Sequence, residues 1–427
     1  MTSASGSAVG LSVSATMPRM GLEASQIIKV GFLAPLSGNV SAWGEPGLNG
    51  CLIWADWINS LGGIKIGRER FKVEIVAYDN EYDPDKALLG LRKLISEDNV
   101  QFIMMLGGDT LVPAVQEVIN RRKMLVSTLL PSDLSPNTPY IIAPCEVHPI
   151  YNVTAVEWLK ETYPELKTVA MCAQNDALGV PSVATYRAAF EAAEIDVVNE
   201  IFFPVTTDDF KPIIDEMLAK DPDILCWDTA YEPFVHALTK EAYHQGFQGQ
   251  ILSCTCDNYQ QLIDETSKEF MEGFVFQFPD FDDPALNDTR VNLTNPNEFF
   301  EEFNSRYPGM WTAVSWEYVS ILELWKEAVS RAGTFEPLSA LAAMKAGGSA
   351  KHAFGEARWW GKELFGVNNA LVGDWPVVVI RDGKARIAAF RSITSWWDKH
   401  SSKMIKHMRD LGQMWDQKEK SSLGETG

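Results

Sequence analysis

The sequence predicts an α/β fold of two Rossmann-like lobes, each with a parallel sheet, joined by a three-segment hinge. The chain has 427 residues, which exceeds the size that a single hydrophobic core usually serves. Short β-rich apolar runs alternate with stretches of helical spacing, an order typical of parallel strands with right-handed crossovers. Two such series occur, one before about Ile142 and one after it, so we expect two sheets.

The first predicted unit is the run from Ile27 to Ile64. An apolar strand at Ile28–Leu33 leads into a polar turn that contains Trp43, and an amphipathic helix then continues to the glycine pair at 62–63. In α/β proteins, ligands bind at the carboxyl ends of parallel strands. The turn around Trp43 is therefore expected to lie over a ligand site.

The remaining strand predictions rest on short apolar runs that end in turn residues. They are Phe71–Tyr78, Phe102–Leu106, Met124–Ser127, Thr168–Cys172, Asp196–Phe203, Ile224–Trp227, Ile251–Cys254 and Gly273–Phe276. Between them, Asp83–Asp98 is predicted to be helical because its apolar residues recur at helical spacing. Residues 377–390 are predicted to form a β-hairpin that turns at Asp382 and Gly383.

The predicted lobes are discontinuous in sequence, because three segments are expected to cross between them. These segments are the proline-rich Thr138–Pro149, then Gly273–Asp280, and finally Phe354–Ala389. The predicted organisation is 27–144 with 277–353 for the first lobe, 145–276 with 354–395 for the second, and 396–427 for a C-terminal surface helix and tail. Residues 1–26 are excluded from the fold as either a disordered leader or the remnant of an export signal that begins upstream.

Composition and motifs restrict the function. Fifty-seven acidic residues against 37 basic ones give a formal charge of −20, which disfavours nucleic acid as a partner. No stretch of the sequence approaches the roughly 20 apolar residues needed to cross a bilayer. The dinucleotide, P-loop, nucleophile-elbow and zinc-protease motifs do not occur, and the six histidines are scattered. The sequence therefore predicts a protein that is not an enzyme and has no cofactor.

The six cysteines leave three interpretations open. Cys172, Cys226 and Cys254 are each expected near the carboxyl end of a strand in the second sheet, with Cys256 two residues further on. Such a group can form a disulfide in an exported protein, or a thiolate metal site. Free cysteine is also often buried as a small apolar side chain, and we favour this interpretation over a metal site.

Several segments follow one another in an informative order and spacing: LSGNVSAWGEPGLNG with INSLGGI, YDNEYDPDKA, DDFKPIIDEMLAKDPDILCW, HQGFQGQILSCT and MEGFVF. In these segments, and from about Ile28 to Ala389, the chain resembles the type I periplasmic substrate-binding proteins of ABC importers, in particular the branched-chain amino acid group. The resemblance implies a monomeric periplasmic or extracellular protein that closes two lobes on a small ligand and presents it to an ABC permease. The alternative is a ligand sensor of the same fold that acts on a signalling partner or a regulated enzyme.

The resemblance implies contacts from three loops of the first lobe. It places Trp43 against the ligand, although the ring can instead cover the top of the lobe. Gly108, Asp109 and Thr110 precede the helix that begins at Pro113, where free backbone N–H groups suit a ligand carboxylate. The alternative is that Asp109 caps this helix.

The third loop is Ser127, Thr128 and Leu129, which lies where the family contacts the ligand's amine and α-carbon. The following Leu130 and Pro131 are apolar and offer an ammonium group few acceptors. We therefore expect a more apolar pocket than that of an amino acid receptor.

In the second lobe, the resemblance selects Tyr231 as a ring that covers the ligand when the lobes close; the alternative is a ring packed in the first turn of a helix. Leu178 replaces a frequent cleft aromatic. Thr255 stands where amino acid binders carry the glutamate that pairs with the ammonium group, and Asp257 is near enough to substitute for it. The predicted ligand is a small carboxylate, either an amino acid or an aromatic or aliphatic acid.

Overall fold

The computed structural model describes residues 26–38, 40–228, 231–287 and 290–422. The leader predicted at 1–26 lies outside the described residues except for Gln26, and so does the end of the predicted tail from residue 423 onward. Two sheets with helices packed around them make up the described chain, which confirms the predicted fold class.

The first sheet contains six strands, all of them before residue 143. They are β1 (Gln26–Ala34), β2 (Ile64–Ile66), β3 (Glu69–Asp79), β4 (Phe102–Met105), β5 (Val126–Ser127) and β6 (Ile141–Ile142). Their order across the sheet is β2-β3-β1-β4-β5-β6, and every pair except β2 with β3 is parallel. The short strands β2 and β6 were not predicted, because two or three residues carry no readable periodicity.

The second sheet has nine strands. They are β7 (Thr168–Gln174), β8 (Asp196–Phe203), β9 (Ile224–Asp228), β10 (Gln250–Ser253), β11 (Val275–Phe276), β12 (Ser349–His352), β13 (Gly355–Trp360), β14 (Ala370–Arg381) and β15 (Lys384–Ser392). Strands β7 to β11 are parallel, whereas β12 to β15 add an antiparallel part that begins at β11. The predicted hairpin is β14 with β15, and both Asp382 and Gly383 have positive φ, as its tight turn requires.

Fifteen α-helices surround the sheets of the described chain. They are α1 (Glu45–Ser60), α2 (Pro84–Ser96), α3 (Pro113–Arg122), α4 (Asn152–Thr162), α5 (Gly179–Ala192), α6 (Lys211–Leu218), α7 (Glu232–His244), α8 (Tyr259–Glu265), α9 (Lys268–Met271), α10 (Pro296–Arg306), α11 (Val314–Ala332), α12 (Pro337–Lys345), α13 (Lys362–Phe365), α14 (Ile393–Asp410) and α15 (Trp415–Ser422). Helix α14, in the segment predicted as a C-terminal surface helix and tail, buries Trp396, Trp397, Met404 and Met408 against the second lobe.

The first lobe is completed by helix α11, which returns from the second half of the chain and packs on α1. The two backbones approach closely at Gly50, where a Cβ atom would lie 2.0 Å from the carbonyl oxygen of Ser315. The indole Nε1 of Trp54 donates a 2.7 Å hydrogen bond to Glu323 of α11. Trp54, Trp316 and Trp325 are fully buried, which is typical of core residues.

The chain passes between the sheets three times, after β6, after β11 and before β12. Ala143 forms an isolated parallel bridge with Ala370 and so ties the end of the first sheet to β14 of the second. Strand β12 belongs to the second sheet, and the predicted lobe boundary at 353 lies directly after this strand. None of the helices in the described part of the chain is long and apolar enough to cross a membrane.

Candidate functional site

Two aromatic rings meet where the carboxyl ends of the two sheets face each other. Trp43 follows β1 and is 6% exposed, and its ring centre lies 5.8 Å from that of Tyr231, which directly precedes α7. Trp43 also packs edge-to-face on Tyr82, and Tyr231 packs on Phe234. A residue of the first lobe therefore contacts a residue of the second lobe, and the cleft is closed at this point.

The loop after β4 forms hydrogen bonds within the first lobe. The backbone N–H of Gly108 donates to both carboxylate oxygens of Asp133, at 3.2 and 3.1 Å. The hydroxyl of Thr128 lies 2.6 Å from the same carboxylate. Thr110 is buried and donates to the carbonyl of Gly107 at 2.9 Å. An internal carboxylate thus occupies the position that was expected to receive a ligand carboxylate.

Asp133 makes the stability of the protein depend on pH. Burial raises its pKa to about 7, although the Thr128 hydroxyl and the Gly108 N–H act in the opposite direction. At pH values between the unfolded pKa of about 4 and the folded pKa, Asp133 holds a proton only in the folded state. The free energy of unfolding therefore falls as the pH rises through this range. We expect Asp133→Asn to remove this fall, because an amide can accept from Gly108 and donate to Thr128 at every pH.

The measurement is denaturant unfolding of both proteins at pH 4.5 and pH 8. The variant should gain on the order of 3 kcal/mol relative to the parent between these pH values. Asp133→Ala serves as the contrast, since it leaves the Gly108 N–H unpaired and should be destabilised at both. A constant difference between the Asn variant and the parent would show that Asp133 is ionised throughout.

Acidic groups of both lobes face each other beside the aromatic pair. Burial and the facing carboxylate of Asp176 raise the pKa of Asp109. Asp176 belongs to the second lobe, where it accepts hydrogen bonds from the backbone N–H groups of Leu178 and Gly179. The N–H of Asp109 lies 3.4 Å from the Tyr82 hydroxyl, and helix α3 is capped at Val112 without a side-chain bond. The alternative that Asp109 caps this helix is therefore wrong.

The predicted residues at the end of β5 and directly after it are buried. Ser127 is fully buried, and within the described chain its Oγ has no hydrogen-bond partner. The hydroxyl of Thr128 also accepts from the N–H of Leu130, which closes the loop onto itself. Leu129 is buried as well, and so is Leu178 across the cleft. These side chains supply apolar and polar surface, but no cation.

Asp257 links the second lobe to the first. It follows β10 and the buried Thr255, and its carboxylate accepts a 3.2 Å hydrogen bond from the N–H of Ala313, immediately before α11. Burial, followed by the charges of Glu232 and Asp280, raises the pKa of Asp257 well above its usual range. The acid predicted to substitute for the missing glutamate is thus already in contact with the opposite lobe.

A cavity of about 330 Å³ opens beside Asp257, with walls from both lobes. Its lining combines acidic and aromatic groups, including Asp257, Asp280, Tyr259, Phe278 and Trp311. Burial raises the pKa of Asp280 to about 6. The described residues that line this cavity include no lysine or arginine.

A second acidic group, which the sequence did not predict, lies buried at the base of the cleft. Glu146 is in the crossing after β6, and Glu317 is in the first turn of α11. Burial raises the pKa of Glu146 to about 7, although His148 acts in the opposite direction. Burial, then the charges of Glu146 and Asp257, raise the pKa of Glu317 well above its usual range.

His148 and Asp228 extend this group into the second lobe. The Nε2 atom of His148 lies 3.0 Å from the Ser182 hydroxyl and 3.7 Å from the Asp228 carboxylate. Burial alone would lower the pKa of His148, but the hydrogen bond and charge of Asp228 raise it. Asp228 ends strand β9 and also accepts a hydrogen bond from the Asn152 amide. The base of the cleft is therefore built from the crossing segment, α11 and the end of a second-lobe strand.

The cysteines support neither a disulfide nor a metal site. All six are free and buried, so the predicted disulfide alternative is wrong. Burial raises the pKa of the Cys226 and Cys254 thiols, which disfavours reactive thiolates. No group of three or more potential ligands is arranged to hold a metal ion in the ranges that the structure describes.

Sequence reasoning missed the acidic residues at the base of the cleft, although two signals could have found them. Glu146 and His148 are polar residues in an otherwise apolar crossing segment, IIAPCEVHP. Glu317 lies in the apolar run VSWEYVSI, on a helix that is buried almost all round. A charged residue in such a run is unusual unless it is paired or functional.

Comparison with known proteins supports this architecture. A model of the periplasmic binding protein family matches residues 27–385. Among solved structures, a leucine-binding protein from Thermotoga maritima is similar with a TM-score of 0.69 and 18% identity, over 86% of this chain and 100% of that one. A solute-binding protein from R. palustris in complex with 4-hydroxybenzoate has a TM-score of 0.67 and 19% identity, over 86% of this chain and 96% of that one.

A third similar structure is a fatty acid ABC transporter substrate-binding protein from Thermomonospora curvata. It has a TM-score of 0.68 and 18% identity, over 86% of this chain and 92% of that one. At these identities the structural likeness establishes a common fold. The family model spans most of the chain and agrees with the two facing lobes, and we conclude that the chain belongs to the periplasmic binding proteins.

Proposed function

We propose that this protein is the extracytoplasmic solute-binding component of an ABC importer. It captures a small organic ligand between its lobes, as a monomer, and delivers it to the permease subunits in the membrane. The observation that supports this most directly is the contact between Trp43 and Tyr231, which closes one lobe on the other over the strand ends. Family membership and the fold shared with transporter proteins favour the same role.

The ligand class we propose to test first is a small carboxylic acid, either an amino acid or an aromatic or aliphatic acid. The sequence resemblance implies this class, and the similar proteins include one named for leucine and one in complex with 4-hydroxybenzoate. A ligand carboxylate would need donors other than the Gly108 N–H, which already bonds to Asp133. Aromatic surface at Trp43 and Tyr231 suits the apolar part of either ligand.

The test is a thermal-shift screen of the purified protein against amino acids, amines, benzoate- and phenylpropanoate-type acids, amides and urea. A ligand present at 100 times its Kd should stabilise the folded state by about 2.7 kcal/mol. We expect at least one compound to raise Tm, and cells that lack the protein to lose uptake of that compound. A screen without any shift would contradict the proposed function.

A further inference from the structure

We propose that the carboxyl pair of Glu317 and Glu146 binds a protonated amino group of the ligand at the base of the cleft. This inference rests on the proposed function and specifies its ligand as an amino acid or another amine. The site differs from the position after β10, where Thr255 stands in place of an ammonium-binding glutamate.

The first observation is that Glu317 is buried without a donor. Its side chain is 1% exposed, and among the described residues no N–H or hydroxyl group donates to its carboxylate oxygens; the group within hydrogen-bonding range is the Glu146 carboxyl. Glu323, on the same helix, is also buried, but it accepts from the Trp54 indole at 2.7 Å and forms an ion pair with Lys326. Burying a carboxylate is costly unless it is paired or protonated, so Glu317 lacks the partner that Glu323 has.

The second observation is the charge around the pair. The groups that act on Glu317 are the carboxyls of Glu146 and Asp257, which are acidic as well. Within the part of the chain that the structure describes, the basic group that acts on Glu146 is His148, and this ring is directed to Asp228 and Ser182 of the second lobe. A ligand that brings a positive charge would neutralise the pair, whereas a carboxylate would add to the repulsion.

The third observation is a cavity whose lining includes a group that acts on the pair, although neither Glu146 nor Glu317 lines it. Asp257, whose charge acts on Glu317, also lines the cavity of about 330 Å³. Phe278 lines the cavity as well, and its ring packs on that of Trp316, the residue before Glu317. Aromatic rings attract organic cations, and an ammonium group has three N–H donors for carboxyl oxygens. The arrangement therefore favours an organic ammonium ion.

The experiment measures binding by isothermal titration calorimetry with two matched pairs of probes, at pH 7.5. L-leucine is compared with its hydroxy analogue, 2-hydroxy-4-methylpentanoate, and benzylamine is compared with benzoate. In each pair, we expect the amine-bearing probe to bind at least 30-fold more tightly, about the effect of a buried charge pair. Any amine found in the thermal-shift screen is tested in the same way against its analogue without nitrogen.

Two variants locate the effect. Glu317→Gln should weaken binding of the amine at least 30-fold, and so should Glu146→Gln. Each variant tests the pair independently, so the test stands if only one of the two folds. Glu323→Gln is the matched control, because it changes a buried carboxylate of the same helix that is already partnered. This control should bind the amine as the parent does.

The outcomes separate the two proposals. If acids or amides bind but amines do not, or if a folded Glu317→Gln variant binds the amine like the parent, the inference is overturned and the proposed function stands. If no compound of any class binds, both are overturned.

Discussion

Replacing Trp375 with alanine is expected to lower the free energy of unfolding by about 3–5 kcal/mol, as the truncation of a buried aromatic residue usually does. Trp375 is fully buried on β14, where its ring stacks on Tyr151 with 4.9 Å between centres and 13° between planes. It also packs edge-to-face on Phe278 and Phe354, and its Nε1 donates to the carbonyl of Gln277 at 3.1 Å. The substitution therefore leaves a large cavity and an unpaired carbonyl where the crossing segments meet.

Denaturant unfolding of the purified variant measures this effect. Leu61→Ala is the control, since Leu61 is 76% exposed and its truncation should change stability by less than about 0.5 kcal/mol. A loss below about 1 kcal/mol for Trp375→Ala would mean that the ring does not have the packed surroundings described above.

Replacing Trp43 with alanine is expected to weaken ligand binding about 30-fold, since buried tryptophans at interfaces commonly contribute 2 kcal/mol or more. In the closed cleft, Trp43 contacts Tyr231 of the opposite lobe and Tyr82 of its own. Its removal takes away the aromatic contact between the lobes and the apolar wall of the site. Both changes favour the open form over the closed form.

Two measurements check this prediction. Calorimetry gives the affinity for whichever solute stabilises the parent protein, and small-angle scattering reports whether that solute still compacts the variant. Trp43→Phe should recover part of the affinity because a ring remains. Trp57→Ala is the control, since Trp57 lies on α1 against Phe299 and Glu302, away from Tyr231. Unchanged affinity in Trp43→Ala would exclude the ring from the ligand site.

Local pattern was sufficient for most of the fold. Strands such as Asp196–Phe203 and helix α2 were predicted closely, because their apolar residues recur with the period of the element. Strands β5 and β11 are shorter than predicted, because in each of them only two residues form backbone pairs with a neighbouring strand. The antiparallel β12 and β13 were missed because Gly and charged residues interrupt their pattern.

The candidate site was less predictable, because its groups come from segments that are far apart in sequence. The Gly107–Thr110 loop was correctly placed after a strand, but its amide bonds to Asp133, 25 residues from Gly108. Nothing local indicates that bond, since an aspartate in a polar turn usually faces solvent. Trp43 and Tyr231 were selected as ligand contacts only through the resemblance to a family, and their contact with each other was not predicted.

By itself, the sequence determined the class of protein: two α/β lobes, a cleft between strand ends, and an aromatic residue in the first turn. These follow from periodicity and turn chemistry, which act over a few residues. Only the tertiary structure decided which charges meet in the cleft. Glu146 and Glu317 are 171 positions apart, the difference between their residue numbers, yet folding places both carboxyls at one buried point. Burial and proximity, which set the energy of a charge, belong to the folded chain and cannot be read from local pattern.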